Sequence, residues 1–111
     1  MERVFNKLVR DNIPNKITNN GEVAITRILD DEEYKKELYK KLLEEANEVI
    51  TSSSSDETIE ELADVLEVLK SIAELNGKRI EDVIEVANQK RIKRGGFEKR
   101  IFLEKTYDKE D

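Results

Sequence analysis

The sequence predicts an all-α protein: a helical bundle of three main helices with short N- and C-terminal extended segments, assembled as an oligomer. Three observations lead there. Charged residues make up 41% of the 111 residues, apolar residues 37% and aromatics 5%, the composition of amphipathic helices with solvated faces. One Pro and four Gly supply too little turn chemistry for a many-stranded fold. Apolar residues recur at helical spacing through three long windows. At this length a single domain over residues 1–111 is expected, with a core of modest size.

Taken in order, the segment Asn6-Lys7-Leu8-Val9-Arg10-Asp11-Asn12-Ile13-Pro14 leads into a short candidate helix ending at Gly21. Asp11 is the candidate cap, and Pro14 is tolerated in a first turn. Residues 23–29 read as a short extended piece. Asp30 and Glu33 make a capping-box pair that opens a helix to about Ile50. The polar run Thr51-Ser52-Ser53-Ser54-Ser55 reads as a flexible connection. Ser54 and Glu57 repeat the capping box, and a helix follows to Asn76, stopped by Gly77. A third helix covers roughly Ile80 to Arg94 and stops at Gly95-Gly96. Residues 97–103 have β-type residues in part and are a candidate partner strand for residues 23–29. Beyond Thr106 the tail is polar.

The absence of Cys and His excludes much. Disulfides, thiolate zinc sites, Cys nucleophiles and His general bases are all ruled out. A metal would be held by oxygen, which favours Mg²⁺, with Mn²⁺ the alternative. A net charge of −6 argues against nucleic acid as a partner. No stretch approaches a membrane-spanning length and the N-terminus lacks the apolar core of a signal peptide, so a cytoplasmic address without membrane contact is expected.

Four acids fall on the wrong side of their helices. At roughly 100° per residue, Tyr34, Leu38, Leu42, Ala46 and Val49 define one apolar arc of the first long helix. Glu45 projects inside that arc and Glu48 lies at its edge, whereas Glu44 points outside it. In the second long helix Glu60, Glu67 and Glu74 fill a narrow polar strip, but Glu61 falls between Val68 and Ile72, and Asp64 sits beside Leu75. Unpartnered carboxylates on a buried face cost several kcal/mol each. Either cationic side chains or bound cations must answer them. Two helices each offering a Glu-x-x-acid turn make an oxygen cage suited to Mg²⁺; salt bridges to Lys or Arg of a neighbouring helix are the plainer solution.

Cations appear in the third helix. Lys90, Arg91 and Arg94 project along the face marked by Ile80, Val83, Ile84, Val86 and Ala87, either snorkelling near a helix C-terminus or meeting phosphate oxygens. Lys7, Arg10 and Arg100 are further phosphate-binding candidates from the chain ends. Acids that bind metal together with converging cations form the kit of phosphoryl chemistry.

Lys41-Leu42-Leu43-Glu44-Glu45-Ala46-Asn47-Glu48 followed by Glu61-Leu62-Ala63-Asp64 resembles the EExxE…ExxD signature of the MazG-like, all-α nucleotide pyrophosphohydrolases. It is equally similar to the related phosphoribosyl-ATP pyrophosphohydrolases of histidine synthesis. The opening Lys7–Pro14 run and the closing Arg94-Gly95-Gly96-Phe97-Glu98-Lys99-Arg100 resemble a compact subgroup of unassigned substrate. The resemblance implies a dimeric or tetrameric helical bundle with Mg²⁺ held by Glu45, Glu48, Glu61 and Asp64. It further implies Glu44 near the metal ligands or as base, and Lys90 on substrate phosphates. The expected reaction is in-line attack of water on the α–β bridge of a nucleoside triphosphate, releasing a monophosphate and pyrophosphate. With no His, Glu44 or Glu48 must take the proton. Two alternatives stand beside it: a true phosphoribosyl-ATP pyrophosphohydrolase, and a non-catalytic helical module whose acids pair with Lys90, Arg91 and Arg94. The second long helix carries an apolar arc of roughly 240°, wider than one neighbouring pair of helices covers, so a homodimer or homotetramer is expected.

Overall fold

The computed structural model describes residues 1–110. Four helices follow one another: α1 (Ile13–Asn19), α2 (Asp31–Thr51), α3 (Ser55–Leu75) and α4 (Ile80–Arg94). No strand occurs among the described residues. The expected pairing of residues 23–29 with 97–103 is therefore corrected. Val23, Ile25 and Ile28 stay 84%, 92% and 96% exposed, and two short segments without a covering layer do not make a stable sheet. The four helices are the three long ones and the seven-residue α1, which stands where a short N-terminal helix was expected. No described helix is long and apolar enough to cross a membrane.

The helix ends follow local chemistry. Asp30 caps α2 by accepting the Glu33 N–H at 2.8 Å, and Asp31, Glu32 and Glu33 sit in the first turn where the helix dipole favours them. The box closes on one side only, because the Glu33 carboxylate is held at 2.8 Å by Arg27. Ser54 caps α3 in the same manner, its hydroxyl accepting the Glu57 N–H at 3.1 Å. The Glu57 carboxylate instead accepts from the Ser53 hydroxyl at 2.9 Å. At α1 the capping position is Asn12 rather than Asp11, and it makes no side-chain cap bond; Pro14 occupies the first turn as expected. Gly77 (φ 72°) ends α3 and Gly95 (φ 82°) ends α4, both in the left-handed region where a Cβ is strained.

The serine run is not a loose connection. Thr51 closes α2 and Ser55 opens α3, leaving residues 52–54 as the link. The half-buried Ser52 hydroxyl lies 2.6 Å from that of Thr58 and 2.7 Å from the Val49 carbonyl oxygen. So short a link makes α2 and α3 a helical hairpin, and they pack against each other.

The described residues form two compact units, one from Met1 to Ile80 and one beginning at Glu81. In the first, the α2–α3 seam buries Leu38, Val68 and Ala73. These are the buried apolar residues of the described chain, a small core. Leu43 and Ile50 on α2 and Ile59, Leu62 and Leu66 on α3 remain exposed. In the second unit no described residue is buried. Its helix is supported locally, with Arg91, Lys93 and Arg94 in the last turn and an ion pair between Arg91 and Glu98.

Ser54→Ala removes the α3 cap and should cost about 1 kcal/mol by urea unfolding. Ser53→Ala, which loses only an exposed contact to Glu57, should stay within about 0.5 kcal/mol of wild type.

Candidate metal centre

The hairpin brings acids together at its seam. Glu45 on α2 and Glu61 and Asp64 on α3 each present a carboxylate oxygen, all within 4.8 Å of one another, and all three residues are half-buried. Glu61 and Asp64 are one turn apart, so both face α2. Glu48 is exposed and its carboxylate is not one of this trio. It is close enough to act on Glu61 through charge. Of the four acids expected to converge, three meet and the fourth stands beside them.

The charges of the trio are answered unequally. Glu45 pairs with Lys41 at 3.6 Å, the preceding turn of its own helix. Asp64 pairs with Arg10 at 2.6 Å, a contact across 54 residues of sequence. Among the described residues Glu61 has no cation within salt-bridge distance. Burial pushes its carboxyl above the usual carboxylate range, and repulsion from Asp64, Glu48, Glu45 and Glu57 adds to that. Glu61 is thus the member of the trio whose charge no cation answers.

Glu44, outside the apolar arc as expected, is gripped by Lys7 at 3.9 Å and Lys41 at 3.6 Å. Lys7 also lies 5.9 Å from the centre of the Phe5 ring. Lys90, Arg94 and Arg100 belong to the second unit. Arg94 and Arg100 line one hollow of about 450 Å³ with Phe97 and Lys99, and Lys90 is exposed on α4. Arg91 is held by Glu98 in that unit. Within the first unit the cations that answer the trio are Lys41 and Arg10. Lys41 was missed as a site residue, although its spacing of four from Glu45 was a legible ion-pair signal.

The donor set suits a hard divalent ion. Three carboxylate oxygens within 4.8 Å of one another are donors of the type that Mg²⁺-like ions favour. Three carboxylates at the seam of a helical hairpin define an oxygen-donor, all-α site of the kind used in metal-assisted phosphoryl chemistry. The sequence model of the MazG nucleotide pyrophosphohydrolase domain matches residues 33–96, more than half of the chain, and the chain belongs to that family. The match takes in α3, α4 and nearly all of α2, with all three acids. It leaves out Lys7 and Arg10. Nothing among the curated proteins or the solved structures matches the chain.

With its pKa raised on folding, Glu61 binds more protons in the native state than in the unfolded one. Its charged form therefore destabilises the metal-free protein, and stability falls as pH rises past the ordinary carboxylate range. In EDTA at neutral pH, Glu61→Gln should melt above wild type. That difference should shrink on acidification to about pH 4.

Proposed function

We propose that this protein is a Mg²⁺-dependent pyrophosphohydrolase that cleaves a nucleoside triphosphate, or a related nucleotide, between its α and β phosphates. The observation that carries the reading is the position of Glu61. Its uncompensated carboxylate stands beside Glu45 and Asp64 within the segment that matches a nucleotide pyrophosphohydrolase family. Glu45, Glu61 and Asp64 hold the metal, with Glu48 at the rim of the same site; Mn²⁺ is the natural substitute. When bound, the ion supplies Lewis-acid polarisation and neutralises charge on the departing pyrophosphate.

The chain itself supplies the base and the phosphate contacts. Glu48 is assigned the proton of the attacking water, since Glu44 is occupied by Lys7 and Lys41. Lys7 and Arg10, already paired with Glu44 and Asp64, are the first unit's candidates for phosphate oxygens. Lys90, Arg94 and Arg100 are the second unit's candidates for the same task. A cytoplasmic address is part of the proposal.

Self-association is part of the proposal. A seam burying Leu38, Val68 and Ala73 while Ile59, Leu62 and Leu66 stay exposed leaves apolar surface of the kind that pairs with another copy.

A panel of nucleotides assayed with Mg²⁺ should release pyrophosphate and no orthophosphate. Glu61→Gln should fold normally and lose at least about 100-fold in rate, the scale of one lost electrostatic contribution of roughly 3 kcal/mol. A wild-type rate in that variant removes Glu61 from the ligand set.

Light scattering at micromolar concentration should give at least twice the chain mass of 12.9 kDa. A concentration-independent monomer mass rules out the oligomer.

A further inference from the structure

The N-terminal segment lies outside the family match, yet it reaches the acids of both hairpin helices. Lys7 sits 3.9 Å from Glu44 on α2, and three residues later Arg10 sits 2.6 Å from Asp64 on α3. Leu8, Val9, Ile13, Pro14 and Ile17 are half-buried, so the segment between and beyond these cations is seated on the first unit. The Ile13 N–H bonds the Arg10 carbonyl at 3.0 Å and ties the strap to α1. The Arg10 side chain itself is 55% exposed, so it can turn to a new partner without uncovering apolar surface.

We propose that this segment is a metal-responsive strap, in which Arg10 is the counter-ion of Asp64 in the metal-free protein and is displaced onto substrate phosphate when the metal binds. The proposal rests on the metal reading above and adds its regulation. Asp64 is at once a member of the trio and the acceptor of the Arg10 guanidinium. A divalent cation among Glu45, Glu61 and Asp64 puts two positive groups on one carboxylate, and their repulsion expels the one that is free to move. A released guanidinium offers planar, paired N–H donors that fit a phosphate's oxygens. Metal and phosphate then bind with positive coupling carried by one side chain, since each removes what opposes the other.

Titration calorimetry with Mg²⁺ alone, and with inorganic triphosphate in saturating Mg²⁺, tests this on wild type, Arg10→Gln and Arg3→Gln. Arg3 pairs with Glu22 away from the acids and serves as the charge control. Arg10→Gln should bind Mg²⁺ about 3- to 10-fold more tightly than wild type and triphosphate at least about 10-fold more weakly; Arg3→Gln should match wild type in both. In nitrogen-15 NMR the Arg10 Nη2 protons should be protected without metal, lose protection with Mg²⁺ and regain it with triphosphate. Mg²⁺ binding that is unchanged or weaker in Arg10→Gln overturns the strap while leaving the metal site intact. Failure of both wild type and Arg10→Gln to bind Mg²⁺ overturns the metal reading and the strap with it.

Discussion

The seam between α2 and α3 has to exclude water and hold charge at once. Leu38, Val68 and Ala73 are sealed in it, and the same strip of helix surface carries Glu45, Glu61 and Asp64. Apolar packing gains from closing the gap, whereas each carboxylate resists losing its hydration. The compromise is visible in the exposures: the three acids are half-buried rather than sealed, and the small core is interrupted where they stand. Two acids are reconciled by Lys41 and Arg10, and the third is left under strain. Local conflict of this kind is what a functional site looks like in a chain whose remaining choices agree with its fold.

Much of this could be read from one strand of text because the decisive signals are local. Asp30 and Ser54 cap helices by bonding an N–H three residues on, a reach that sequence spacing alone determines. Helical phase singled out Glu45, Glu48, Glu61 and Asp64 because a charge inside or beside an apolar arc needs no knowledge of the neighbour to look misplaced. Phase does not decide at an arc's edge, where Glu48 and Asp64 both lie: Asp64 joins the trio and Glu48 stands apart from it. Partners across the fold were harder. The Arg10–Asp64 pair spans 54 residues, and nothing periodic connects them.

The misread segments share a cause. Val23, Ile25 and Ile28 are β-branched residues of the kind strands favour, but that preference describes what a segment does beside a sheet, and these residues have none. The serine run is low in complexity and polar, which usually means looseness. Here Ser52 and Thr58 face each other, and hydroxyls that composition assigns to solvent are used to tie two helices. Asp11 lost the capping position to its neighbour Asn12, a shift within the normal uncertainty of helix boundaries.

That tie sets a limit on how the chain can vary. The link of residues 52–54 fixes where α3 starts its rotation relative to α2. A residue added or deleted there must be absorbed by the tie or by the point at which α3 starts, and a one-residue change of that starting point turns the side chains facing α2 by about 100°. Glu61 and Asp64 would then leave Glu45 and face solvent or the apolar side of the hairpin. Surface turns ordinarily accept insertions and deletions freely. This one is a surface turn that behaves like a reading frame: while the carboxylate trio is kept, the letters of the link can change far more easily than its length.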